Sequence, residues 1–293
     1  MTISIRQIHP VFVGEVSGVD LRGPLTPDEI AAIDEGMDRY AVLVFHGQNI
    51  TDEQQLAFSR CFGEIENSYG GTIAQPNKRL NPLMNDVSNL GPDHRPLARD
   101  DRRRLFNLGN QLWHSDSSFR AVPAKYSILS GRIVVEKGGN TEFADMRAAY
   151  DALDDEMKAM VEPLVCEHSL MYSRGLLGFP DFTEEERAMF RPVRQSLVRT
   201  HPKSDRKSLY LASHAGTIIG WPMPEARAFL RDLNEEATRP ENVYVHKWRQ
   251  FDLVMWDNRQ TMHRVRRFDE TLVRDMRRTT VAGDAPTAQQ VAA

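Results

Sequence analysis

Residues 110–119, Asn110-Gln111-Leu112-Trp113-His114-Ser115-Asp116-Ser117-Ser118-Phe119, set a histidine and an aspartate two positions apart among apolar and small residues. Read as a strand, whose side chains alternate between faces, the segment projects both groups from one face. An imidazole nitrogen and a carboxylate oxygen side by side are two of the three donors of a 2-His-1-carboxylate iron site. A surface pair or a simple hydrogen-bonded couple has the same spacing. The reading therefore turns on whether a second histidine and a set of anion-binding residues arrive from elsewhere in the chain.

His263 is the candidate second histidine. Leu253-Val254-Met255-Trp256 reads as a buried strand ended by the turn pair Asp257-Asn258, and Thr261-Met262-His263-Arg264 follows. Trp256 and Met255 would keep water from His263. Together, His114, Asp116 and His263 can occupy one face of an octahedral ferrous ion and leave three positions open. The plainer reading of His263 alone is a hydrogen-bonded core histidine. The other histidines are weaker candidates: His9, His46, His94 and His201 sit in turn-like contexts, and His168, His214 and His246 have no partner at ligand spacing. Downstream, Arg274 and Arg278 are an even number apart, so an unbroken strand places both on one face. Guanidiniums bind carboxylates bidentately, at about 1.5–3 kcal/mol for each charge-assisted contact. The alternative is a solvated basic face answered by Asp269, Glu270 and Asp275.

The rest of the chain reads as many short strands with inserted helices. Thr26-Pro27-Asp28-Glu29, Thr51-Asp52-Glu53-Gln54 and Thr183-Glu184-Glu185-Glu186 carry capping-box signals, and Pro224 to Ala237 is amphipathic at helical spacing. Met146 to Leu153 also reads as a helix. Strands are expected at 41–45, 126–130, 133–135, 165–171, 196–200, 209–212, 243–248 and 277–282, with a turn at Gly138-Gly139-Asn140. The pattern predicts a mainly β fold with helical decorations (α+β), a sandwich or jelly roll, as one domain over residues 1–283. Residues 63–109 lack periodicity and hold the run Arg99-Asp100-Asp101-Arg102-Arg103-Arg104, which suits a solvated loop or an active-site lid. Residues 284–293 are expected to be a disordered tail.

Composition excludes several classes. A net charge of −4, with basic and acidic residues nearly balanced, offers nothing to nucleic acid or an anionic membrane. Two cysteines, Cys61 and Cys166, support neither a disulfide framework nor a cysteine metal cluster. The N-terminus has no signal-peptide pattern and no apolar run could span a bilayer. A cytoplasmic protein without nucleic-acid or membrane partners is the expectation.

Read together, the segments WHSDSSF (113–119), GGNTEFADMRAAYDAL (138–153), MWDNRQTMHR (255–264) and RDMRRTTVAGD (274–284) resemble the TauD/TfdA family of Fe(II)- and 2-oxoglutarate-dependent dioxygenases. ITDEQQLAFSRCFG (50–63) and LVRTHPKSDRKSLY (197–210) extend the likeness to nearly the full chain. Within the family it is greatest to the branch acting on 2,4-dichlorophenoxyacetate, particularly its rhizobial alpha type, and smaller to taurine dioxygenases. The resemblance implies a double-stranded β-helix (jelly roll, cupin-like), with Fe(II), the co-substrate 2-oxoglutarate and O2 as cofactors. By the same resemblance His114, Asp116 and His263 are the metal ligands, and Trp113 and Trp256 flank them. Thr141 and Arg274 hold the distal carboxylate of 2-oxoglutarate. Arg278 holds the substrate's anionic group, with Asn110 and the Ser117 backbone on the substrate side; Asn67, Tyr69 and Arg102 to Arg104 are further candidates.

The implied reaction hydroxylates the ether-adjacent carbon of an aryloxyacetate, a small anionic aromatic substrate, and yields a phenol and glyoxylate with succinate and CO2. The same chemistry on a sulfonate or another small carboxylate is the alternative, and a non-redox zinc hydrolase or binding module is a third reading. The family also implies a homo-oligomer.

Overall fold

The computed structural model describes residues 3–68 and 79–290. In chain order its strands are β1 (Ser4–Gln7), β2 (Gly14–Ser17), β3 (Val42–Phe45), β4 (Asn85–Asp86), β5 (Tyr126–Ile133), β6 (Thr141–Asp145), β7 (Val165–His168), β8 (Val193–Ser196), β9 (Val198–Thr200), β10 (Lys207–Leu209), β11 (Ala215–Ile218), β12 (Val243–His246), β13 (Leu253–Asp257), β14 (Thr261–Val265) and β15 (Asp275–Val281). The helices are α1 (Pro27–Tyr40), α2 (Asp52–Arg60), α3 (Arg102–Asn107), α4 (Met146–Asp151), α5 (Asp155–Val161), α6 (Leu170–Gly175), α7 (Glu184–Met189) and α8 (Met223–Ala237). It is a mixed α and β fold with many strands.

Helix starts follow local chemistry. Thr26, Thr51 and Thr183 each accept from the backbone three residues on, while Glu29, Gln54 and Glu186 reach back, so all three capping boxes are closed. α1 ends where Ala41 turns left-handed at φ 59, which aims the chain directly into the buried strand β3.

A seven-stranded sheet in the order β1-β2-β3-β13-β5-β15-β4 carries the framework, and a three-stranded sheet β12-β6-β14 lies across it. Strand alternation sorts the side chains of β3 and β13 into two layers. Leu43, Phe45, Leu253 and Met255 join Ile33 and Met37 of α1 and Phe58 of α2 in one core. Val42, Val44, Val254 and Trp256 point the other way and meet Phe143 of β6, whose ring centroid lies 5.4 Å from that of Trp256. The inner faces of the two sheets therefore enclose an apolar floor, and the candidate site sits at its edge.

Several expectations change. The 110–119 stretch is not a strand: a 3-10 turn covers Leu108–Gln111, His114 makes an isolated bridge, and Asp116 to Phe119 form a turn in which Ser117 takes φ 54. Residues 126–133 are one continuous strand, and Val134 and Val135 lie beyond it. The 165–171 run stops at His168, because Ser169 caps a helix there. The 196–200 segment breaks between β8 and β9, and β10 ends at Leu209.

Residues 79–109 are anchored at several points, while residues 92–95 and 98–100 are exposed. Arg79 bridges Asp86 and Asp275, Arg102 pairs with Asp181 and Glu186, and Arg104 pairs with Glu270. Tyr69 lies outside the described residues. In the expected tail, Thr287 and Gln290 hydrogen-bond to Ser196 and Arg194 beside β8.

Candidate active site

β14 delivers His263, and the segment beside it delivers His114 and Asp116. The amide of His114 donates to the carbonyl of His263, and that of His263 to the carbonyl of His114. Ligand atoms of His114, Asp116 and His263 all lie within 4.8 Å of one another, and all three residues are buried. The nearer nitrogen of each ring is Nε2, 3.9 Å (His114) and 3.7 Å (His263) from the Asp116 carboxylate. The His114 Nδ1 lies 2.8 Å from the Leu112 carbonyl, which can only accept. The proton therefore sits on Nδ1, and the Nε2 lone pair is left facing Asp116.

Asp116 is fixed from several sides. Its amide donates to Asn258 Oδ1 at 3.0 Å, and Asn258 in turn accepts from the Trp256 indole at 3.1 Å. Ser127 on β5 donates to Asp116 Oδ2 at 2.7 Å, and the Arg278 guanidinium donates to Oδ1. Burial alone would raise the Asp116 carboxyl, but Arg278 foremost, then His263, His114 and Ser127, hold it at about 2. Burial pushes His114 down to about 4, against the pull of Asp116, and takes His263 well below its usual value, with His114 adding to the effect. Two neutral imidazoles and one carboxylate are the protonation states a divalent metal requires. The donor set fits ferrous iron.

Of the two flanking tryptophans, Trp256 stands beside His263 at 4.6 Å between ring centroids. Trp113, the residue before His114, packs in another core cluster with Met262, beneath the Arg264 guanidinium.

The metal cluster opens into a cavity that reaches the surface. Asn110, His114, Asp116, Ser117 and Arg278 all line it, as do Asn67 and Arg103. Arg102 and Arg104 do not line it. Arg278 lies on β15, whose even-numbered residues Met276 and Arg278 face inward. Its Nε has no partner.

Arg274 precedes β15 and lines an adjoining cavity that shares Val87, Asn107 and Asn110 with the first. It is 4 % exposed, donates to the Gly139 carbonyl at 3.1 Å and pairs with no carboxylate among the described residues. Burial lowers it to about 10, so it remains a cation at neutral pH. Thr141 opens β6 two residues beyond Gly139, where its hydroxyl accepts from the Trp248 indole at 3.0 Å.

Three contributors escaped the sequence reading. Asn258 looked like a turn residue but positions Asp116. His214 lines the cavity, with its ring centroid 6.0 Å from that of His114, and Arg174 on α6 lines the same wall. None of the three has a local pattern that could have revealed it.

A buried two-histidine, one-carboxylate cluster at a cavity is the donor set of non-haem Fe(II) oxygenases. Residues 4–280 match the family described as taurine catabolism dioxygenase TauD, TfdA family, and the chain belongs to it. The chain is 43% identical over 283 residues to the alpha-ketoglutarate-dependent 2,4-dichlorophenoxyacetate dioxygenase of Burkholderia sp. (strain RASC), covering 97% of this chain and 95% of that one. It is 44% identical over 285 residues to the enzyme of the same description from Cupriavidus pinatubonensis (strain JMP 134 / LMG 1197), with 97% and 99% covered. Among solved structures it is similar to AAD-2 in complex with Mn(II) and N-oxalylglycine, at 66% identity and a TM-score of 0.96, covering 98% of this chain and 100% of that one. Among the described residues no helix is long and apolar enough to cross a membrane.

Proposed function

We propose that this chain is an Fe(II)- and 2-oxoglutarate-dependent dioxygenase acting on an aryloxyacetate such as 2,4-dichlorophenoxyacetate. The observation that carries the reading is the buried His114, Asp116, His263 cluster, with its donor atoms within 4.8 Å of one another. The full-length likeness to enzymes described as 2,4-dichlorophenoxyacetate dioxygenases supports the substrate class. Facing of the seven-stranded sheet by β12-β6-β14 supports a double-stranded β-helix of the jelly-roll kind.

In this reading His114, Asp116 and His263 hold the metal. When bound, Fe(II) and 2-oxoglutarate supply the oxidation of a C–H bond by O2, the oxoacid leaving as succinate and CO2. Arg274 takes the distal carboxylate of 2-oxoglutarate, since it is a buried cation without an acidic partner, and the Thr141 hydroxyl supports it. Arg278 takes the substrate's carboxylate, with Asn110 and the backbone at Ser117 on the same cavity wall. Phe106, Phe119 and Leu170 line that cavity and give an aryl ring apolar contact. Holding the carboxylate at one end and the ring at the other leaves the ether-adjacent carbon to face the metal cluster, and positioning of this kind accounts for much of a barrier reduction. Hydroxylation there gives a hemiacetal, which collapses to the phenol and glyoxylate without further help.

The test is O2 consumption by anaerobically reconstituted protein with Fe(II), 2-oxoglutarate and 2,4-dichlorophenoxyacetate. Succinate, glyoxylate and phenol are expected in equal amounts. No 2-oxoglutarate turnover with any carboxylate or sulfonate in a substrate panel rejects the oxygenase. Turnover with a sulfonate but not with aryloxyacetates rejects the substrate class alone.

A further inference from the structure

One arginine of the cavity is not used by the site described so far. Arg174 is on α6 and is only 5 % exposed. Its guanidinium lies over the Phe106 ring, 4.5 Å from the centroid. It also lies against the backbone of Gly109, where an added Cβ would stand 2.4 Å from Cζ. A side chain at position 109 would occupy the guanidinium's place. Nη2 donates to Asn110 Oδ1 at 3.3 Å and Nη1 to Ser173 Oγ at 3.2 Å, but the buried Nε has no partner.

No carboxylate among the described residues pairs with Arg174. Residues 1–2, 69–78 and 291–293, outside the described set, contain no aspartate or glutamate. Burial lowers the group to about 10, so it is charged at neutral pH. Asp116 acts on Arg174 only through space and is itself held by Arg278, so the buried cation lacks an ion pair of its own, and contact with an aromatic face offsets only part of that cost. The arginines of α3 show the contrast: Arg102 and Arg104 both have acidic partners. Arg174 is held in a fitted slot, charged, at the wall of a cavity that also presents Asn110, His214 and Arg278.

We propose that Arg174, with Asn110, is a second cationic contact for the carboxylate of the substrate, on the same cavity as Arg278. Arg278 already donates to Asp116, so it has less of its fork to offer an incoming anion. Arg174 donates to the neutral acceptors Asn110 and Ser173 and to no carboxylate among the described residues. The pair together makes the cavity selective for an anion rather than merely tolerant of one.

This inference rests on the aryloxyacetate reading, and phenol release by the wild-type enzyme reports on that reading separately. The charge of the ligand reports on Arg174. Binding of 2,4-dichlorophenoxyacetate and of its uncharged amide is measured by calorimetry on protein loaded anaerobically with Fe(II) and 2-oxoglutarate. Arg174→Gln is expected to weaken the acid by about tenfold or more while the amide changes by less than about twofold. The KM for 2-oxoglutarate should stay within about twofold, and Arg174→Lys should recover part of the lost affinity. Asn110→Asp covers the case in which the glutamine variant does not fold. It places a carboxylate beside the buried guanidinium, so it should raise Tm and yet weaken the acid by about tenfold or more. Equal weakening of acid and amide in Arg174→Gln, or undiminished acid binding in Asn110→Asp, overturns the proposal.

Discussion

The amide of His263 donates to the carbonyl of His114 at 2.8 Å, and the amide of His114 returns the bond at 3.0 Å. Their rings stand 4.2 Å apart, centroid to centroid. Backbone pairing thus holds the two histidines side by side. Chelation of the metal is therefore expected to abolish turnover and leave the protein folded. Because the ion binds only the native state, its removal should lower stability by about 2.7 kcal/mol relative to protein held at a hundred times the dissociation constant. Calorimetry with EDTA, and again after Fe(II) is restored, measures this. Unfolding at room temperature on chelation would mean that the backbone pair does not hold the site.

Asp116→Ala removes the only carboxylate of the cluster. Metal-dependent turnover should be lost while circular dichroism remains native. The substitution also strips Arg278 and Ser127 of their acceptor, at a cost in stability of about 1–3 kcal/mol. Full activity in the variant would take Asp116 out of the ligand set.

Arg274→Ala and Arg278→Ala should be mirror images. Loss of one charge-assisted contact of about 1.5–3 kcal/mol corresponds to a roughly ten- to hundredfold rise in KM. Arg274→Ala should place that rise on 2-oxoglutarate, and Arg278→Ala on the aryloxyacetate. Steady-state kinetics with each substrate varied in turn decides it, and a reversed pattern exchanges the two assignments.

Acid stability should depend on Asp257, away from the cavity. Burial alone would raise its carboxyl, but Arg259 first, then His201, hold it far below the ordinary range. Its Oδ2 accepts from Arg259 at 2.7 Å. A depressed carboxyl contributes stability that is fully present above its unfolded value of about 3.9 and is lost as pH falls below it. The melting temperature should therefore drop below about pH 4 in the wild type. Asp257→Asn should be less stable at pH 7 by about 3–5 kcal/mol, because Arg259 is left buried and unpaired. Its acid decline should also be shallower, as thermal unfolding across that range will show.

Local chemistry was legible wherever it is local. The capping boxes at Thr26, Thr51 and Thr183 closed as the residue types require, and the apolar run 253–256 became β13 in the centre of the large sheet. Spacing misled at the opening stretch. His114 and Asp116 do converge, but through a turn: only His114 pairs with β14, and the chain then bends through Ser117 at φ 54. Similarly, the run 165–171 is apolar enough for a strand, and only the Ser169 cap breaks it.

The sequence by itself determined the family, and it picked out the residues proposed as metal ligands and, in Arg274 and Arg278, as anion contacts, because these are carried by residue identity in short segments. Tertiary structure alone decided which groups complete them. Asn258 reaches Asp116, Ser127 reaches its carboxylate, and Arg174 and His214 enter the cavity wall across long separations in the chain. Such contacts follow from how two sheets and α6 pack together, and packing at a distance leaves no period or spacing in the chain to read.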